Sequence, residues 1–291
     1  MDSSREDIPL AHSKPFTLAS PNSFGGELQG FVSFPDDKFP GLRPVVVICH
    51  GFKGFMEWGF FPPLADLLTE RGFITIRFNY SGSGMSPGDD LVTDTDAFKR
   101  NTFSLERDET LLVLDAVEEL GEGRANIDQV GLLGHSRGGG AVVLAAAAAG
   151  SEKVRALVTW SAISTFQRYA KNVDEWRRDG AIPLRNGRTG QELELGLELL
   201  DDLEQNTEAL DLEAASAKVK TPWLVVHGDQ DETVPVSEAE DLASWAGGEK
   251  ELTVIQGGSH TFGARHPFAG PTAELIRAMN ATQVWFRRHL S

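Results

Sequence analysis

Three residues fall in an order and setting that could perform nucleophilic chemistry: Ser136, Asp231 and His260. Ser136 is the centre of Gly134-His135-Ser136-Arg137-Gly138, a G-x-S-x-G pattern between the apolar run 130–133 and an alanine-rich stretch. A strand that turns sharply into a helix would push the serine hydroxyl out at the sheet edge. The following amide, that of Arg137, would then stand at a helix N-terminus, able to donate to an oxyanion. Flanking glycines suit a strained backbone and close chain approach. A serine hydroxyl is a weak nucleophile at neutral pH and needs a base, which needs an orienting acid. Asp231 follows the apolar run 223–226 and His260 follows 252–255, so both sit just past strand ends in the order Ser, Asp, His.

Each role has rivals. Asp229 and Glu232 neighbour Asp231, and an aspartate in such a turn is often a structural cap. His266 precedes Pro267 and reads as a surface histidine. His50, His135 and His227 each adjoin a glycine at a strand end, where local bonds to backbone are expected. None has ligand-like spacing, so no metal site is assigned. A second oxyanion donor is expected from His50-Gly51-Phe52-Lys53-Gly54, with the amide of Phe52 complementing that of Arg137.

The elements that must position these residues are legible in the apolar pattern. Runs at 45–49, 73–78, 130–133, 154–160, 223–226 and 252–255 alternate with helical stretches at 61–71, 102–120, 139–149, 237–246 and 271–289. This alternation predicts an α/β fold, a mostly parallel sheet with helices on both faces. Ligands bind such sheets at the carboxyl ends of the strands, where Ser136, Asp231 and His260 all fall. Residues 16–33 read as a leading hairpin, and 1–15 as a polar N-terminal extension. The rhythm breaks at 162–216, which reads as a cap inserted after the sixth strand, between core segments 16–161 and 217–291. The cap holds an Asn186-Gly187 turn, an acidic helical stretch at 195–210, and five arginines: Arg168, Arg177, Arg178, Arg185 and Arg188. These arginines read as solvated surface charge, with a substrate carboxylate as the minority alternative.

Together, His50-Gly51-Phe52, Gly82-Ser83-Gly84-Met85-Ser86, Gly134-His135-Ser136-Arg137-Gly138-Gly139, His227-Gly228 with Asp231 and Val234-Pro235, and His260 resemble the α/β-hydrolase superfamily. The likeness is to its dienelactone-hydrolase-like and cinnamoyl-esterase-like branch, and spans about residues 26–290. It implies a serine esterase with a Ser136–Asp231–His260 triad and no metal or organic cofactor. Asn79-Tyr80-Ser81-Gly82 departs from the pattern, since many relatives carry an Asp and an Arg in that turn.

Aromatic residues near the oxyanion loop (Phe52, Phe55, Trp58, Phe60 and Phe61) and in the cap (Tyr169 and Trp176) are candidates to line an acyl pocket, or equally to wedge cap against core. The expected partner is a small-molecule ester, with a homodimer left open. A serine peptidase on short peptides and a non-catalytic ligand-binding protein on the same scaffold are the rival functions. A formal charge of −16 over 291 residues opposes binding to nucleic acid or anionic membrane. One cysteine, Cys49, permits no internal disulfide. With no secretory pattern in the first 16 residues and no long apolar run, the sequence predicts a soluble cytoplasmic protein.

Overall fold

Apolar runs rich in β-branched residues become strands and the amphipathic stretches between them become helices, as a computed structural model describing residues 13–21 and 26–290 shows. β1 (Ser13–Ala19) and β2 (Glu27–Ser33) form the leading hairpin, so Ser13–Pro15 belong to a strand and not to a polar extension. The rest of that expected extension and most of the hairpin turn lie outside the described residues. Then follow β3 (Arg43–Cys49), α1 (Phe61–Glu70), β4 (Ile74–Asn79), α2 (Thr95–Arg100), α3 (Phe103–Asp115), α4 (Val117–Leu120) and β5 (Ala125–His135). The helix expected over 102–120 is thus two helices, interrupted at Ala116. α5 (Arg137–Ala149) and β6 (Ala156–Trp160) complete the first half.

β1, β2, β4, β3, β5 and β6 lie side by side in that order, and β9 (Trp223–Gly228) and β10 (Lys250–Ile255) extend the sheet to eight strands. Within this sheet the neighbours from β4 across to β10 pair in parallel, and β1–β2 and β2–β4 are antiparallel. Period-two alternation sends successive side chains of β3 to opposite faces. Val45, Val47 and Cys49 join a core with α3 and α5, whereas Val46 and Ile48 join one with α1 and α10 (Ala273–His289). Helices therefore cover both faces, as a buried parallel sheet requires. Side-chain caps fix helix starts beside the sheet: Thr102 accepts from the Leu105 amide and Thr272 from that of Leu275.

Between β6 and β9 the chain forms α6 (Val173–Asp179), a separate hairpin of β7 (Ala181–Arg185) and β8 (Glu192–Gly196), α7 (Leu197–Gln205) and α8 (Leu212–Lys218). The Asn186-Gly187 signal marks the turn of that hairpin. Gln191 ties it to the core by bonding both the amide and the carbonyl of Val92. Asp202 of α7 accepts from the amides of Phe103 and Ser104, at the open N-terminus of α3. The acidic stretch thus supplies one carboxylate where a helix start needs an acceptor. α8 packs with the helical layer, Leu212 approaching Gly140 of α5, so the departure from the strand–helix rhythm ends before residue 212 rather than at 216. After β9, α9 (Val236–Trp245) returns the chain to β10.

Candidate active site

The turn from β5 into α5 places Ser136 at φ 57° and ψ −121°, a strained conformation for a residue with a side chain. Two contacts hold it there. The Ser136 amide donates to the Trp160 carbonyl at 2.9 Å. Gly138 lies so close to the neighbouring loop that an added Cβ would stand 2.2 Å from the His50 carbonyl oxygen. Only glycine fits there, which explains the second glycine of the motif.

His260 links the other two residues. Its Nδ1 lies 2.8 Å from Asp231 Oδ2 and its Nε2 lies 3.1 Å from Ser136 Oγ. An ionised carboxylate only accepts, so Nδ1 carries the proton and Nε2 is the acceptor for the serine hydroxyl. Burial works against the Asp231 carboxylate. Hydrogen bonds from His227 and His260, with the Val234 amide, outweigh that cost and hold it well below the usual carboxylate range. Asp231 therefore stays ionised, fixes the imidazole tautomer and can stabilise an imidazolium. Its rivals do other work: Asp229 accepts from the Gly257 amide at 2.7 Å, and Glu232 is exposed.

His50, His135 and His227 behave as backbone anchors. His50 donates Nδ1–H to the Gly51 carbonyl, and its Nε2 accepts from the Tyr80 amide. His135 reaches the His260 carbonyl at 2.9 Å and His227 the Val234 carbonyl at 2.9 Å. Burial pushes His50 down to about 4; burial and the adjacent His260 push His135 down to about 3. His135 thus stays neutral below the His260 ring and holds its backbone in place. Among the described residues, no group of three His, Cys, Asp or Glu side chains is arranged to hold a metal ion. His266 is not a free surface histidine. Its Nδ1 accepts from the Gly59 amide, its Nε2 meets Asp90 Oδ1 at 2.7 Å, and its ring packs on Phe55 and Trp58.

The 50–54 loop abuts the serine turn: an added Cβ on Gly51 would stand 2.9 Å from Ser136 Cβ and 3.5 Å from the Arg137 nitrogen. Neither the Phe52 nor the Arg137 amide is taken by a side chain or loop carbonyl among the described residues. The Arg137 side chain runs the other way, into a box of Phe52, Phe103 and Tyr169 with its guanidinium 4.7 Å from the Phe52 ring centre. There it pairs with Glu106 of α3, and Asn101 donates to the same carboxylate at 2.8 Å. Sequence reasoning missed this pair, since Glu106 looks like any acid on an amphipathic helix. The Asn79 side chain accepts from the Met56 amide and donates to the Met85 carbonyl, so the turn that departs from the family pattern still ties two loops together.

An open cleft of about 170 Å³ lies over Ser136 and His260. Its apolar wall is Phe52, Trp58 and Phe61; its polar wall includes Lys53, Asn186 and Arg188. Of the expected pocket aromatics, Phe52, Trp58 and Phe61 line it and the other four do not. Phe55 packs under the His266 ring, and Phe60 lies against His135 and Trp160 in the core. Trp176 is 0% exposed and donates Nε1–H to the Leu195 carbonyl, holding α6 to β8. Tyr169 stands one layer back, edge-on to Phe52. Large rings gain most from full burial, and Phe55, Phe60 and Trp176 achieve it away from the cleft, while Tyr169 is partly buried.

The sequence pattern that defines the alpha/beta hydrolase fold family matches residues 44–194, just over half of the chain, and the chain belongs to that family. It is 27% identical over 281 residues to an uncharacterized 31.7 kDa protein from the traX-finO intergenic region of Escherichia coli, covering 85% of this chain and 92% of that one. Among solved structures it is similar to Est1E from Butyrivibrio proteoclasticus, with 21% identity, a TM-score of 0.67, and coverage of 94% of this chain and 98% of that one. A dienelactone hydrolase from Anabaena variabilis superposes with a TM-score of 0.61 at 18% identity, covering 96% and 99%. At these identities the two structures share the fold. Among the described residues, no helix is long and apolar enough to cross a membrane.

Proposed function

We propose that the protein is a serine hydrolase that cleaves carboxylic esters of small acyl or aromatic acids through an acyl-enzyme. The observation that carries this reading is the continuous hydrogen-bonded chain from Ser136 Oγ through the His260 ring to Asp231. Ser136 Oγ attacks the ester carbonyl while His260 Nε2 takes its proton, and Asp231 stabilises the resulting imidazolium. The amides of Phe52 and Arg137 receive the oxyanion, each contributing roughly 3 kcal/mol to the transition state. Collapse of the tetrahedral species releases the alcohol, which takes the proton back from His260. Water then attacks the acyl-enzyme, again giving its proton to His260, and Ser136 leaves with the proton as the acid departs. Neither a metal nor an organic cofactor is needed for these steps.

The open, partly aromatic cleft supports small acyl and hydroxycinnamoyl esters as first substrates. Est1E, which shares the fold, has also been solved with ferulic acid bound. Turnover of such esters by the wild type, abolished in Ser136→Ala, is the expected result. Equal turnover by the two proteins contradicts the assignment.

A further inference from the structure

The wall of the cleft is cationic although the chain carries a formal charge of −16. Of the five arginines between 162 and 216, four face carboxylates. Arg168 pairs with Glu238, Arg177 with Asp201 and Glu204, Arg178 with Asp179, and Arg185 stands 3.6 Å from Glu192. Arg188 has no carboxylate within ion-pair distance among the described residues, and it is the arginine that lines the cleft. Its guanidinium donates to the Asp90 carbonyl at 2.7 Å and lies 5.4 Å from the Phe55 ring centre, so it is held in place. The Asp90 carboxylate acts on it through space but is itself engaged by His266.

Lys53 lines the same cleft from the 50–54 loop, where φ is 58°. It has no ion pair or hydrogen-bond acceptor among the described residues. Half-buried without a counter-charge, its ammonium is pulled below the ordinary lysine range by burial. Asn186, 4% exposed, adds an amide: its Oδ1 accepts from the Arg188 amide, leaving Nδ2 as donor. Among the described residues, no Asp or Glu lines the cleft.

We propose that Lys53 and Arg188 form a carboxylate-binding subsite, so that the preferred substrate is a small ester carrying a negative charge in its acyl or alcohol part. The proposal rests on the serine-hydrolase reading and names its substrate class. At physiological ionic strength charges are screened over about 8 Å, so the acids elsewhere on the surface do not set the potential inside the cleft. Lys53 and Arg188 do: neither is held in an ion pair among the described residues, and the acid acting on Arg188, Asp90, is engaged by His266. A carboxylate entering between the two cations gains charge-assisted hydrogen bonds and removes the unfavourable burial of Lys53.

The test compares a short dicarboxylic acid half-ester with the neutral ester of matching shape, as a ratio of kcat/KM values for the full chain. The wild type is expected to favour the half-ester. Lys53→Gln and Arg188→Gln are each expected to lower the ratio about tenfold, the loss of one hydrogen bond to a charged group. Arg185→Gln, which removes an arginine away from the cleft, leaves the ratio unchanged. A wild type that favours the neutral ester overturns the proposal, as does a ratio unmoved by either cleft variant. Fluorophosphonate labelling is measured alongside. Labelled protein with an unmoved ratio overturns the subsite alone, whereas wild type that neither labels nor turns over any ester overturns the hydrolase reading beneath it.

Discussion

The Arg137 guanidinium and the Glu106 carboxylate form a buried pair, with Nε 3.0 and 2.9 Å from the two carboxylate oxygens and the side chains only 1% and 5% exposed. The pair joins the residue after Ser136 to α3, and the Phe52 ring covers it. Both proposed oxyanion donors therefore rest on one ionic contact. Removing one partner leaves a buried charge uncompensated, which costs about 3–5 kcal/mol. Glu106→Gln is expected to lower the free energy of urea unfolding by about that amount and to reduce kcat. A double variant, Glu106→Leu with Arg137→Met, should lose less stability than Glu106→Gln alone, because no charge is stranded. A larger loss in the double variant would contradict this account.

The second glycine of the serine motif gives a steric prediction. A Cβ at Gly138 would meet the His50 carbonyl at 2.2 Å, and backbone cannot yield as a flexible side chain can. Gly138→Ala should push the 50–54 loop away from the serine turn and lower kcat on the order of a hundredfold, the scale of losing one oxyanion donor. Wild-type kcat in that variant is the opposing outcome.

Glu109 makes stability depend on pH. Burial raises its carboxyl from 4.5 to about 7, although Ser20 and Ser81 donate to it. The folded state then holds a proton that the unfolded state has lost between those two values. Stability is accordingly full below the unfolded value and falls as pH rises through the window, by at most about 3 kcal/mol. Urea midpoints at about pH 5 and about pH 8 should fall less in Glu109→Gln than in wild type. Parallel curves for the two proteins would refute the linkage.

Two tryptophans separate core from cleft. Trp176→Ala removes a fully buried ring and should cost about 3–5 kcal/mol of stability while leaving the relative kcat/KM of different esters unchanged. Trp58→Ala removes part of the cleft wall and should change KM for aromatic relative to short acyl esters. A shift in ester preference in the Trp176 variant would place that residue in recognition after all.

What the sequence makes legible follows from how local each signal is. The parallel strands announce themselves as short apolar runs because both faces are buried. Ser136, Asp231 and His260 each follow such a run, so one topological rule brings them to one edge, where the structure finds them hydrogen-bonded. The hairpin of β7 and β8 shows through its Asn186-Gly187 turn. The destinations of aromatic side chains are not local. Phe60 and Phe61 are adjacent, yet only Phe61 reaches the cleft, because Phe60 packs on Trp160 from a distant strand. Nor could the sequence single out Arg188 from the other four arginines, since what distinguishes it is its lack of an ion pair among the described residues, which depends on the fold. The setting of His266 is equally non-local: its partners, Gly59 and Asp90, lie far away in the chain.

The central claim is that His260 activates Ser136. Reaction with a fluorophosphonate probe measures this most directly, comparing wild type with Ser136→Ala and His260→Ala after confirming that all three are folded. The account predicts rapid labelling of wild type, none of Ser136→Ala, and strongly slowed labelling of His260→Ala. Folded wild type that resists the probe, or Ser136→Ala that labels as fast as wild type, would contradict it.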